Sequence, residues 1–318
     1  MKGMIGRLRG GDAMNARQLL CAGPNRVLRV GVWAVAIACA GQTAARGEAA
    51  AQLREETASA FERYVKQIEA RNEEDLRAGK PALWVDGLEE NERAEEYVAL
   101  RRGEVRMKKT EPRTDGEKFA CPHGMIHHWT GAVFLPGVEL KTVLGVLQDY
   151  DNHSRYYAPE VERSRIEGHD KDHYQVYLRF RQHKVITVVL NTEHDVRYYT
   201  DSATRAHSRS SAVRIAQVEN AGRNDEREKP AGDDDGFLWR METWWRMEER
   251  DGGVYLQSEV VSLTRDVLSG LGWLIGPFVN SVPRESLTFT LEATRRAVEA
   301  RTKTAERPSD GSQEPHSN

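Results

Sequence analysis

From Phe237 to Met247 the chain turns over with a period of two. Phe237, Trp239, Met241, Thr243, Trp245 and Met247 fall on one side, opposite Arg240, Glu242, Arg246 and Glu248. That spacing belongs to an antiparallel strand with one buried face. Asp251-Gly-Gly253 follows as a hairpin turn, and Val254 to Thr264 reads as the return strand. A chain carrying such a hairpin must supply something apolar to cover it.

The same period recurs upstream. Tyr174, Val176, Leu178 and Phe180 alternate with Gln175, Tyr177, Arg179 and Arg181. The link Gln182-His-Lys184 leads to Val185 to Leu190 as a hairpin partner. In Ser202 to Val218, Ala206, Ser208 and Ser210 alternate with Arg205, His207 and Arg209. These arginines either face water or point inward as a polar anchor for a ligand carboxylate or phosphate. Only one of the two sets can line an interior, and the serines are favoured. His127 to Leu135 is a further strand, and Val138 to Asp149 has helical spacing at Val138, Val143, Leu144 and Leu147. The segment from Asp149 to Pro159, with Asp151, His153, Tyr156 and Tyr157, reads as a capped turn. Glu219 to Gly236 lacks any period and is expected to be a long exposed loop.

The cover for the strands lies at the C-terminal end. Ser281 and Pro283 open a helix to about Arg301, with Leu287, Leu291, Thr294 and Val298 on one side. Before it, the apolar, Gly-rich stretch from Gly270 to Val279 is expected to form a lid or a buried connection, with Leu271, Trp273 and Phe278 as the lid residues.

The N-terminal region differs in kind. Arg7, Arg9, Arg17, Arg26 and Arg29 precede the apolar run Val30 to Ala40, and small residues follow it. That is the order of a signal peptide. The run is about eleven residues, whereas a bilayer span needs about twenty. Cleavage is expected after Ala40, with Ala45 as the fallback, and the protein is expected to be periplasmic or secreted. Lipidation of Cys39 is less favoured, because Ala36 stands where a larger aliphatic residue is expected. Cys121 is then the single cysteine of the mature chain, so an intrachain disulfide is excluded. Residues from Ala49 to Ala78 lack Pro and Gly and carry Leu53, Phe61, Tyr64, Val65, Ile68 and Leu76, which predicts an amphipathic helix. Glu89 to Arg102 is a second helix and Glu104 to Thr110 a short strand, their charges read as a solvated face.

The order strand, two short helices, antiparallel meander and long terminal helix resembles the START-like helix-grip superfamily, which includes START lipid-transfer domains and polyketide cyclases. The resemblance covers about residues 124 to 302. It is carried by His127-His-Trp-Thr-Gly-Ala-Val-Phe134, Leu147-Gln-Asp-Tyr-Asp151 and Gly253-Val-Tyr-Leu-Gln-Ser-Glu259. Through Gly270-Leu-Gly-Trp-Leu-Ile-Gly-Pro277 and Pro283-Arg-Glu-Ser-Leu287 the chain is similar to uncharacterised exported bacterial members. The resemblance implies an α+β fold, a curved antiparallel sheet gripping the last helix with a ligand cavity between them. The expected organisation is a signal peptide over 1–45, a helical extension over 46–123, the helix-grip domain over 124–302 and a polar tail over 303–318.

Val176, Leu178, Phe180, Ser208, Ser210, Trp239, Met241, Trp245, Ser258, Val260, Leu287 and Leu291 are the candidate cavity-lining residues. Met adapts to varied apolar shapes and serines leave volume. The competing reading is a solid aromatic core. No nucleophile elbow, zinc motif, phosphate loop or dinucleotide fingerprint occurs, so no catalytic residue, metal ligand or cofactor is assigned. His127 and His128 are adjacent on a strand and must point to opposite faces. An enzyme of polyketide-cyclase type would draw on Arg179, Tyr177, Arg209 or Glu259. A formal net charge of −3 with interspersed signs argues against a nucleic-acid partner. The expected function is noncatalytic binding or transport of a lipid or other apolar small molecule. An enzyme using the same cavity, or an interaction protein with a solid core, are the alternatives. Proximity to a membrane and the oligomeric state stay open.

Overall fold

A computed structural model describes residues 51–306 apart from 82, 185 and 267–271; of 51, 272–280 and 305–306 it describes the backbone. The expected signal peptide and its cleavage sites, Leu271, and the tail from 307 on lie outside the described residues.

The chain enters through β1 (Ala51–Gln52) and α1 (Glu55–Arg77), followed by α2 (Glu90–Arg101). Next come β2 (Arg106–Lys109), the small hairpin β3 (Arg113–Thr114) and β4 (Glu117–Lys118), and the long β5 (Gly124–Pro136). α3 (Leu140–Leu147) and α4 (His153–Tyr156) precede the meander β6 (Val161–Asp170), β7 (His173–His183), β8 (Thr187–Thr200) and β9 (Arg205–Glu219). The short strands β10 (Arg227–Glu228) and β11 (Asp233–Asp234) lead to β12 (Arg240–Arg250), β13 (Gly253–Arg265) and the terminal helix α5 (Gly272–Glu306).

The main sheet runs β2-β5-β13-β12-β9-β8-β7-β6, with β10 added beside β9. All these pairs are antiparallel. Register shifts in β6 against β7, and at Glu193/His194 in β8 against β9, bend the strands, since a bulge raises local twist. The turn between β12 and β13 has positive φ at Asp251 (56°) and Gly252 (75°), as a two-residue hairpin turn demands.

α5 lies on the inner face, seated against β5 and β13 and flanked by α3 and α4. Its approach depends on Gly131. A Cβ there would stand 2.6 Å from Leu291 Cδ1 and 2.7 Å from Met107 Sδ, closer than packed atoms tolerate. Leu287, Leu291, Ala297 and Val298 join Val133, Leu135, Met247 and Leu256 in the core under the helix. The helix is longer than Ser281 and Pro283 predict. It starts at Gly272 and includes Pro277 and Pro283, neither of which can donate a backbone hydrogen bond.

The outer face of the sheet is covered too. α1 carries Phe61, Tyr64, Val65 and Ile68 on one stripe, which meets Ile126, Trp244, Val261 and Leu263. Tyr97 and Leu100 of α2 meet Ala132, Phe134 and Tyr255. Among these apolar contacts sits a buried polar cluster. His128 Nε2 donates to Glu259 Oε1 (2.7 Å), Arg71 donates to the same oxygen (2.5 Å), and Asn72 donates to Oε2 (3.3 Å). Tyr64 reaches His128 Nδ1 at 2.8 Å, and Arg246 donates to Asn72 Oδ1 at 2.9 Å. Burial alone would push the Glu259 carboxyl up, but the His128 hydrogen bond and the Arg71 charge prevail and hold it at about 2.

Two expectations are corrected by the strand pattern, and one strand is added to it. The segment from Glu219 to Gly236 is not a featureless loop: β10 pairs with β9, and β11 pairs with β1 at the start of the described chain. Strand β8 does not stop at Leu190 but runs to Thr200. β6, which has no clear apolar alternation, is an additional edge strand, and its charged side chains suit an edge.

A carboxyl depressed in the folded state stabilises it above the unfolded pKa and loses that contribution as pH falls through the folded one. Urea titrations from about pH 6 downward are therefore expected to show stability falling between about 4.5 and about 2 through Glu259. Glu259→Gln should be less stable at neutral pH and show a flatter dependence across that window.

Candidate ligand cavity

Because α5 seats on β5 and β13, the inner face of the sheet on the β7, β8, β9 and β12 side is left partly uncovered by it. A cavity of about 260 Å³ lies there among the described residues. An apolar cavity of roughly 150 Å³ is enough to hold benzene.

Its wall follows from strand parity. Along β7 and β8 the inward positions are Val176, Leu178, Phe180 and Gln182, then Val188, Leu190, His194, Val196 and Tyr198. β9 adds Ser210, β12 adds Met241, Thr243 and Trp245, and β13 adds Ser258, Val260, Ser262 and Thr264. α5 closes the space with Val282, Pro283, Ser286, Leu287, Phe289 and Thr290, and Leu147, Tyr150, His153 and Tyr157 come from α3 and the segment after it.

Of the residues expected on this wall, Val176, Leu178, Phe180, Ser210, Met241, Trp245, Ser258, Val260 and Leu287 line the cavity. Three do not. Ser208 is wholly buried beside Trp245 in the register, on the inner face but off the wall. Leu291 is packed into the core against Gly131. Trp239 lies on the outer side with the α1 stripe, its Nε1 donating to Asp234 Oδ1 at 3.0 Å. The alternation fails at Trp239 because β12 begins only at Arg240, and Phe237 and Leu238 take the inner positions instead. Trp273 and Phe278 fall within the first turns of α5, where the backbone alone is described.

The arginines proposed as an anchor face outward. Arg205 is paired with Glu248, its Nε at 2.9 Å, and Arg209 is held by Glu69 and by Glu242 (3.4 Å). The four candidate acid or base groups are also off the wall. Arg179 is clasped by Glu162 and Glu226, both at 2.9 Å. Tyr177 donates to Asn191 at 2.8 Å, and Glu259 belongs to the α1 cluster.

Sequence reasoning did not place at the cavity the two histidines and the one carboxylate that reach its wall, His194, His153 and Glu160. His194 is buried, and desolvation pushes its imidazole down to about 4. Thr192 donates its hydroxyl to the Leu178 carbonyl (3.0 Å), so it accepts from His194 Nε2 (2.8 Å). Nδ1 is left to accept from Ser210 Oγ at 3.4 Å. The signal for His194 was present in the alternation Thr192, His194, Val196, Tyr198 against Glu193, Asp195 and Arg197. His153 is likewise pushed down to about 4 by burial, against a hydrogen bond to the Val146 carbonyl (3.3 Å). Glu160 follows Pro159 in a connection before β6 and has no periodic signal. Burial raises its carboxyl, opposed by hydrogen bonds from Gln182 (2.7 Å) and Ser286 (3.0 Å). The tyrosines of the wall have partners: Tyr150 meets Tyr198 at 2.7 Å, Tyr198 donates to the Leu147 carbonyl at 3.1 Å, and Tyr157 donates to Thr294 at 3.0 Å. Among the described residues no cluster of His, Cys, Asp and Glu could hold a metal ion, and no helix is long and apolar enough to cross a membrane.

The sheet order, the inner seat of α5 and the cavity between them define a START-like helix-grip fold. No protein-family model and no curated protein matches the sequence. Among solved structures, the STAR-related lipid transfer protein of Xanthomonas axonopodis is 17% identical over 61% of this chain and 93% of its own, with a TM-score of 0.41. Human STARD10 is 10% identical over 69% of this chain and 84% of its own, at a TM-score of 0.38. The Zhui aromatase/cyclase from a Streptomyces species is 14% identical over 57% and 99%, at 0.39. At these scores the fold assignment rests on this chain's own element order and pairing.

The two wall histidines make a measurable statement. A histidine held at about 4 when folded, against 6.5 when exposed, costs stability as pH falls from about 6.5 to about 4, because the unfolded chain binds the proton first. Proton NMR of the folded protein should find the His153 and His194 imidazoles neutral and unshifted down to about pH 5.

Proposed function

We propose that this protein binds an apolar small molecule or lipid in the helix-grip cavity, without converting it, and that it does so outside the cytoplasm. The observation that carries the reading is the cavity of about 260 Å³ with its mainly aliphatic and aromatic wall. The polar wall groups support binding over catalysis. Both ring nitrogens of His194 are committed to Thr192 and Ser210, and the tyrosine hydroxyls are bonded to one another, to backbone or to Thr294. Export is supported by the arginine-rich, apolar N-terminal sequence.

One observation favours a second reading, an enzyme of cyclase or hydrolase type. Glu160 is a wall carboxyl raised by burial, the condition under which a carboxyl serves as general acid.

Titration with the neutral fluorophore aminoanthracene is expected to give saturable binding at one site per chain. Val260→Phe, which fills the middle of the wall, should weaken it by about tenfold or more without loss of the folded state. Equal binding by the wild type and this variant would overturn the cavity as the site. Apolar molecules extracted from the natively purified protein should match host lipids or metabolites in mass, whereas a conversion product abolished by Glu160→Gln would favour the enzyme. For export, N-terminal sequencing of protein recovered from the periplasm or medium should begin at Gly41 or Arg46. An intact Met1 or Met4 start there would count against a cleaved signal.

A further inference from the structure

The wall carries information about the ligand's polarity, which deepens the binding reading above and rests on it. Three features of the cavity bear on charge. No Lys or Arg is among its described lining residues, and the stretch 267–280 contains neither in its sequence. The cations of β7 and its turn are turned away or paired: Arg179 and Arg181 alternate with the wall positions and are paired with Glu162, and Lys184 is paired with Glu285. The one wall carboxyl, Glu160, already accepts from Gln182 and Ser286, and burial disfavours its charged form. A carboxylate or phosphate entering this space would be desolvated with no counter-charge to meet it.

A fourth feature bears on hydrogen bonding. Ser258 is completely buried and lies on the cavity wall, in register with Trp245 on one side and Gly131 on the other. Its Oγ has no hydrogen-bond partner within the protein; Ser208 Oγ, in register with the other side of Trp245, also lacks one, but of the two only Ser258 lies on the wall. Buried hydroxyls are paired as a rule, and a serine hydroxyl can both donate and accept. Gly131 offers no side chain to it, and Trp245 makes no hydrogen bond to it. What remains within its reach is the cavity.

We infer that the ligand is an electrically neutral, mostly apolar molecule bearing a hydroxyl or carbonyl oxygen, and that this oxygen hydrogen-bonds to Ser258 Oγ. The apolar body then lies along the aliphatic positions of β7 and β8, and Trp245 packs against the end that carries the oxygen. Fatty-acid carboxylates and phosphate esters are selected against by the missing cation, and plain hydrocarbons by the serine they leave unpaired.

Four probes of one size separate these cases: naphthalene, naphthol, acetylnaphthalene and naphthoate, each displacing aminoanthracene from the full protein at about pH 7, where naphthoate is charged. Naphthol and acetylnaphthalene are expected to bind roughly five- to tenfold tighter than naphthalene, and naphthoate weaker than naphthalene. Ser258→Ala should abolish the advantage of naphthol and acetylnaphthalene over naphthalene. Ser208→Ala removes a buried hydroxyl that is off the wall and should keep the ranking. Tightest binding by naphthoate, or an unchanged advantage in Ser258→Ala, would overturn the inference while leaving cavity binding intact. If none of the four displaces the reporter, cavity binding itself fails and the inference with it.

Discussion

The architecture depends on one strand being buried on both faces. β13 sends Val254, Leu256, Ser258 and Val260 toward α5 and the cavity, and Tyr255, Glu259, Val261 and Leu263 toward the N-terminal helices. A sheet with one wet face would tolerate a charged residue at 259 at little cost. Here the carboxyl is almost fully buried and must be answered by His128, Arg71 and Asn72. Those partners come from β5 and α1, so the polar cluster fixes where the N-terminal helix sits on the sheet. Apolar contacts alone are less directional and would allow it to slide.

The cavity is the complement of that arrangement on the other face. α5 descends close to the sheet only where Gly131 lets it, over β5 and β13. Away from that seat, small residues on β9, β12 and β13 leave the gap unfilled. Ser210, Thr243, Ser258 and Ser262 stand at inward positions where a leucine or phenylalanine would close it. Small hydroxyl residues on an inner face thus hold volume open, at the cost of polar atoms that need partners.

Most of this was legible in the residues, and the failures have physical causes. β7 and β12 announce themselves because one face is apolar and the other charged, and β13 because a hairpin turn precedes it. The second half of β8 carries histidine and threonine inward, which weakens the apolar signal although the period continues to Tyr198. β6 is an edge strand and needs no apolar face of its own. Trp239 fits the alternation in sequence, but the ladder has not begun at that point, so parity does not bind it. Glu160 stands in a connection, where no periodicity exists to place it. The outer-face role of Glu259 was hidden for a different reason. Its partner Arg71 lies 188 residues away, and no local pattern can report that.

Gly131 is absent from the cavity wall, yet it sets how deeply α5 seats beside it. Size and chemistry of the site are thereby assigned to different positions. The depth of the helix, governed at Gly131, sets how large a molecule fits, while the wall residues on β12 and β13 set what kind. A lineage of such proteins can drift toward larger or smaller cargo by substitution at the helix seat, leaving the groups that discriminate among ligands unchanged.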